Sequence, residues 1–325
     1  MAETRLTLDR IHQAARVIDP VFLGTPQYVF APLGAALGCS VTLKVETLNP
    51  VRSFKGRGTE TAMSWLAESA AAPAAVCASA GNLGLALAYS GARRDIPVTV
   101  VAAETANRLK IDGIRALGAT VVLEGDDIED ARAAARVIAG REGSYLVEDS
   151  LDLLTCDGAG TIGLELFERP DEVDTVLIAL GGGAMASGVG CVAKALAPQV
   201  EVLAIQPAGA PAMALSWRSG VVVESETIDT IADGVAGRFP IPEVLVDLLA
   251  VVDDVALVSE DSIKAGMRLL YRHAGLVVEP SAALGVAAIL EEPERFSGRR
   301  VATVICGSNV MPRDFERWVL AGPDG

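Results

Sequence analysis

Lys55 is the residue of this chain best suited to covalent chemistry. It is one of five lysines and sits in the stretch Val51-Arg52-Ser53-Phe54-Lys55-Gly56-Arg57-Gly58, just after a strand-like run that ends at Pro50. An amine wedged between an aromatic ring and a glycine can form an imine with a carbonyl compound; a solvated surface lysine is the plainer alternative. Other routes to acid–base or nucleophilic catalysis are sparsely provided. The two histidines, His12 and His273, fall in a polar N-terminal helix and near a helix C-terminus, where surface or dipole roles are expected. No HExxH spacing is present, and the five cysteines (Cys39, Cys77, Cys156, Cys191, Cys306) contain no CxxC pair, so neither a zinc site nor a disulfide framework is indicated.

Four further strings lie where a strand hands over to a loop or helix. Ser79-Ala80-Gly81-Asn82-Leu83-Gly84 has small residues that let backbone N–H groups approach a carboxylate or phosphate at a helix N-terminus. A plain strand-to-helix turn explains it equally well. Gly181-Gly182-Gly183-Ala184-Met185-Ala186-Ser187-Gly188 is harder to explain by packing, and close approach of its backbone to a phosphate is the stronger reading. It also matches the weak dinucleotide pattern GxGxxA, which keeps a nicotinamide dehydrogenase in view. The acidic residue expected at the end of the next strand is replaced by Gln206, and that weakens the dehydrogenase reading. The remaining strings are Val278-Glu279-Pro280-Ser281-Ala282-Ala283 and Ile305-Cys306-Gly307-Ser308-Asn309. An aldehyde cofactor joined to a lysine accounts for the amine and the anion-binding strings together.

The elements that must position these residues read as α/β. From residue 74, short β-branched runs alternate with Ala/Leu-rich helical segments, the mark of βαβ units around a parallel sheet. Predicted strands are 74–79, 97–102, 120–124 and 145–147, with helices at 83–93, 107–117 and 128–141 between them. A second series has strands at 175–180, 202–205, 256–258 and 301–305. Its helices are predicted at 262–272, behind an acidic capping run 259–261, and at 281–290. The expectation is two lobes, each an open, mostly parallel sheet flanked by helices, with a ligand in the cleft between them: a small α/β domain at 73–149 inserted in a large domain made of 1–72 and 150–325.

Composition agrees with a folded globular protein of this size. Hydrophobic residues make up 51% and charged residues 21% of the 325, and the formal net charge of −15 argues against nucleic acid as a partner. The window 175–193 has no charged residue, but five of its residues are glycines, which suits a strand, a loop and a helix better than a membrane span. The N-terminus has no apolar segment of signal-peptide type. No membrane association and a cytoplasmic location are expected.

The strings Ser53–Gly58 (SFKGRG), 79–84 (SAGNLG), 181–188 (GGGAMASG), 231–237 (IADGVAG), 278–285 (VEPSAALG) and 306–309 (CGSN) stand in an order and spacing that resemble the pyridoxal-phosphate enzymes of the tryptophan-synthase-β fold, and within them the serine/threonine dehydratases. The likeness spans nearly the whole chain. It implies pyridoxal 5′-phosphate as cofactor, with Lys55 as the Schiff-base lysine and Phe54 beside the ring. Asn82 would hydrogen-bond the ring hydroxyl, Gly181, Gly182, Gly183, Ala184 and Met185 would cradle the phosphate, and Glu279 would line the cofactor site. Cys306 would face the pyridine nitrogen as a neutral partner, which favours expulsion of a β-substituent. Ser79, Ala80, Gly81 and Asn82 would receive the substrate carboxylate. The implied reaction is α,β-elimination from a β-hydroxy amino acid such as L-threonine or L-serine to a 2-oxo acid and ammonia, with the cofactor phosphate helping the hydroxyl to leave. A β-replacement synthase, or a dehydratase for a bulkier 3-hydroxy amino acid admitted by Leu83 and the segment 213–220, are the alternatives, and a homodimer is the default assembly. Three departures qualify the likeness. Leu83 stands where many relatives have His. Ala80 takes the place of the racemases' second acid–base serine. The segment Gln206-Pro207-Ala208-Gly209-Ala210 carries no acid where relatives bind a divalent cation, so no metal is expected there.

Overall fold

The computed structural model describes residues 4–69, 73–168 and 172–321. The chain begins with α1 (Leu8–Val17), β1 (Gln27–Val29), α2 (Ala31–Leu37), β2 (Ser40–Val45) and α3 (Lys55–Ser69). Next come β3 (Ala75–Ala78), α4 (Asn82–Ala92), β4 (Val98–Ala102), α5 (Arg108–Ala116), β5 (Thr120–Leu123), α6 (Ile128–Glu142) and β6 (Tyr145–Leu146). The remainder holds α7 (Leu153–Leu166), β7 (Thr175–Ala179), α8 (Ala184–Leu196), β8 (Glu201–Pro207), α9 (Ala212–Ser219), α10 (Pro242–Val251), β9 (Asp254–Val258), α11 (Glu260–Ala274), α12 (Leu284–Glu291) and β10 (Arg300–Ile305).

Two sheets result. The four-stranded one runs β5-β4-β3-β6 and is parallel throughout. The six-stranded one runs β1-β2-β10-β7-β8-β9, parallel except for β1. In both, chain order reverses direction across the sheet next to an inner strand, and crevices for ligands open there, outside the carboxyl ends of the strands. In the large sheet that point lies beside β7 and β10, and in the small sheet beside β3 and β6. Buried apolar side chains on β2, β7, β8 and β10 fill the principal core, with a second core between the small sheet and its helices. Among the described residues no helix is long and apolar enough to cross a membrane.

Most predicted elements appear within a residue or two of their expected ends. The run before Lys55 is β2, which joins the large sheet by pairing with the distant β10 in the register Val41↔Val301, a partnership no local pattern reveals. The predicted helix at 281–290 is instead a tight 3₁₀ turn, Pro280–Ala283, followed by α12; the fixed φ of Pro280 suits the start of such a turn. The acids of the run at 259–261 do not precede their helix. Ser259 caps α11 by accepting a hydrogen bond from Ser262 N–H, and Glu260 and Asp261 occupy its first turn, where negative charge is favoured. The domain boundary expected at residue 72 falls on 70–72, outside the described residues.

Candidate active site

Three helix N-termini meet at the cleft between the sheets, and glycine contacts bring them together. α7 packs on both α3 and α8. A Cβ at Gly158 of α7 would lie 2.6 Å from the Cα of Gly58 in α3, so the two backbones touch as no larger residue permits. The first residue of α3 is Lys55. The segment leading to it is clamped by the loop after β10: Phe54 N–H donates to Cys306 O (3.0 Å), and Ser308 N–H to Arg52 O (3.0 Å). Farther along α3, the buried guanidinium of Arg57 donates to Glu46 (2.8 Å) and to Glu165 (2.7 Å), tying the helix to β2 and α7.

All thirteen predicted site residues line one cleft of about 450 Å³, a size ordinary for small-molecule sites. The Lys55 side chain is 17% exposed, and its Nζ stands 4.7 Å from the centre of the Phe54 ring. At the end of β7, Gly183 adopts φ +109°, a conformation that favours glycine, and turns the chain into α8. The N–H groups opening α8 therefore present an anion-binding end to the cleft. On the opposite wall Gly81 precedes α4, and Ser79 Oγ accepts from Gly81 N–H (3.2 Å).

A polar chain crosses the cleft floor. Asn309 Nδ2 donates to Asn82 Oδ1 (2.8 Å), and Asn82 Nδ2 donates to both oxygens of the buried Glu279 (2.9 and 3.1 Å), of which Oε2 also accepts from Asn309 N–H (3.2 Å). Burial pushes the Glu279 carboxyl upward, and the Asn82 amide opposes that. Burial likewise holds the Cys306 thiol far above its usual range, with the Glu279 carboxylate adding to the effect, so the sulfur faces the cleft uncharged.

Several residues at the site escaped the sequence reading. Asp149, just after β6, places Oδ2 against Lys55 Nζ, and Ser150 Oγ accepts from Ala184 N–H (3.1 Å) at the start of α8. In sequence, Glu148-Asp149-Ser150 looks like a solvated acidic turn; only the pairing of β6 with β3 carries it to the cleft. The N–H of Asn309, in the loop after β10, completes the donor set of Glu279. At the mouth, Lys110 of α5 pairs with Asp233 (2.5 Å), and Arg238 with Asp127 (2.8 Å). The segment 213–220, expected to shape a substrate pocket, contributes only Met213, because the rest of α9 packs elsewhere and Trp217 Nε1 donates to Leu248 O (3.3 Å). Gln206 is buried, its Oε1 accepting from Ala214 N–H (2.9 Å), and among the described residues no group of three or more His, Cys, Asp or Glu side chains is arranged to hold a metal.

The donor set fits pyridoxal phosphate. A cradle with no side chains at the head of α8 suits a dianionic phosphate, the amine of Lys55 suits an aldehyde, and the uncharged Cys306 thiol suits an aromatic nitrogen. Ser281 Oγ, also on the cleft wall, is buried without a protein partner and so free to meet a ligand.

The chain is similar to known proteins over most of its length. L-threonine ammonia-lyase of Thermotoga maritima is 33% identical over 317 residues, covering 98% of this chain and 79% of that one. Phenylserine dehydratase of Ralstonia pickettii is 32% identical over 286 residues, 88% of this chain and 87% of its own. The solved structure of maize serine racemase superposes with a TM-score of 0.89 at 27% identity, covering 96% of this chain and 97% of that one. Residues 18–307 match the family described as pyridoxal-phosphate dependent enzyme, and the chain belongs to that family.

Proposed function

We propose that this protein is an ammonia-lyase that converts a β-hydroxy amino acid such as L-threonine or L-serine to a 2-oxo acid and ammonia. The observation that carries the reading is the convergence of the Lys55 amine, the head of α8 and the neutral Cys306 thiol on one cleft. Bound there, pyridoxal phosphate supplies an aldehyde for amines and a ring that withdraws electrons from the substrate α-carbon. Gly181 to Met185 would hold its phosphate, and Phe54, Asn82 and Glu279, which line the same cleft, would contact its ring. An uncharged Cys306 beside the ring nitrogen would leave the ring a milder electron sink than an aspartate partner would, which favours fast loss of a β-substituent. Ser79 to Asn82 bind the substrate carboxylate at the start of α4, and the Lys55 amine removes the α-proton.

Similarity to a phenylserine dehydratase and the apolar wall formed by Leu83, Met213 and Phe239 favour a second reading, a bulkier 3-hydroxy substrate. The confinement of β3 to β6 within residues 75–146 supports a small domain at 73–149 inserted in a large one made of 1–72 and 150–325. A cytoplasmic homodimer is our working assembly. The test is product analysis of the purified, cofactor-loaded protein with L-threonine, L-serine and phenylserine. Release of 2-oxo acid and ammonia, abolished together with the yellow absorbance in Lys55→Ala, is expected. A new amino acid formed only with an added nucleophile, or inversion without ammonia, would overturn the reading.

A further inference from the structure

We propose that Asp149 is a second acid–base residue of this site, carrying the proton from Lys55 to the departing β-hydroxyl; the inference rests on the ammonia-lyase reading above. Asp149 Oδ2 contacts Lys55 Nζ, while Oδ1 is buried and has no hydrogen-bond partner in the protein. The other acids of the cleft are committed elsewhere: Glu129 to Arg132 (2.5 Å), Asp233 to Lys110 (2.5 Å), and Glu279 to Asn82 (2.9 Å). Asp149 alone among these has the reacting amine as its partner and a second oxygen left over.

The backbone is built to hold it there. Ser150 adopts φ +69°, a left-handed conformation that a serine keeps only when its surroundings fix it. They do so from three sides: Ala184 N–H donates to its hydroxyl (3.1 Å), while Arg5 Nη2 (3.5 Å) and Cys156 Sγ (3.3 Å) donate to its carbonyl. One strained turn thus contacts the head of α8 through Ser150 and the lysine through Asp149.

The proton balance closes without any outside reactant. The Cα–H bond breaks as an N–H bond forms on Lys55. That nitrogen passes a proton to Asp149, whose carboxyl then protonates the β-oxygen as the Cβ–O bond breaks. The electron pair left at Cα forms the Cα=Cβ bond and water departs. This gives to a side chain the donation that the family resemblance assigns to the cofactor phosphate.

Leaving-group dependence in the holoenzyme tests it. Asp149→Asn should keep the visible absorbance and cofactor content of the parent. Elimination from L-serine should fall by about 10²- to 10³-fold, the usual contribution of a general acid. Elimination from β-chloro-L-alanine, whose chloride leaves without a proton, should change less than about fivefold on the same grounds. L-Serine recovered from D₂O should still carry α-deuterium, because Lys55 is intact. In Asp149→Ala, added formate should restore turnover of L-serine. Equal losses for the two leaving groups, no loss with L-serine, or loss of the α-deuterium label would overturn the proposal. A parent enzyme that releases 2-oxo acid from neither substrate would instead overturn the ammonia-lyase reading, and this inference with it.

Discussion

Replacing Gly183 by alanine measures how tightly the cofactor cradle is built. At φ +109° a side chain is strained, and a Cβ placed there would lie 2.5 Å from Val244 Cγ1. Backbone strain of this kind costs about 1–3 kcal/mol. Val244 is buried on α10 and cannot swing into solvent, so relieving the overlap costs about another 1–3 kcal/mol. The combined loss of about 2–6 kcal/mol corresponds to about 3–9 °C in Tm, taking an unfolding entropy of about 2.1 cal/mol/K per residue over the 325 residues. Gly220→Ala is the control, since φ there is +74° but nothing lies within 4 Å of the added carbon; only strain of about 1–2 kcal/mol acts, and about 1.5–3 °C is expected. Differential scanning fluorimetry of the cofactor-free proteins reads the stability difference. A fluorescence titration with pyridoxal phosphate reads the second consequence: moving Gly183 shifts the N–H groups at the head of α8, and affinity should fall at least about tenfold, or about 1.4 kcal/mol. Equal melting losses for the two variants, with cofactor affinity unchanged in both, would refute the reasoning.

Two further outcomes follow from buried charge. Arg57→Ala strands Glu46 in the interior without its partner and should cost about 3–5 kcal/mol by urea unfolding, whereas Arg93→Ala, whose 3.4 Å contact with Asp19 is exposed, should change stability by less than about 0.5 kcal/mol. Asp157 is buried in α7, with one oxygen on Arg10 and the other unpartnered, and burial pushes its carboxyl up to about 6 from an ordinary 3.8, against the pull of Arg10. The raised value means that the fold favours the protonated form. Its stabilising effect is complete below about pH 4 and is lost as pH rises through 6. Asp157→Asn should therefore gain about 1 kcal/mol on the parent between pH 5 and pH 8 in thermal or urea unfolding.

Much of the site was legible because the chemistry follows the topology. In a parallel sheet, ligands gather at strand ends, so strings such as 181–185 after β7 and 79–82 after β3 could be recognised from their neighbours in sequence alone. The predicted strands were readable for a related reason. Runs such as Val176-Leu177-Ile178 are buried on both faces and appear as continuous apolar stretches between glycine-rich turns. Asp149 was not legible, because nothing local separates Glu148-Asp149-Ser150-Leu151-Asp152 from an exposed acidic turn.

The sequence by itself determined the kinds of element present, the amine capable of imine chemistry and the loops able to meet a phosphate, since propensity, periodicity and turn chemistry act over a few residues. Tertiary structure alone decided which distant segments became neighbours. It set β2 beside β10, Glu279 against Asn82 across 197 positions, and Asp149 on Lys55 across 94. Such contacts are selected by the joint packing of two sheets and three converging helices, and that packing depends on the whole chain at once rather than on any one stretch.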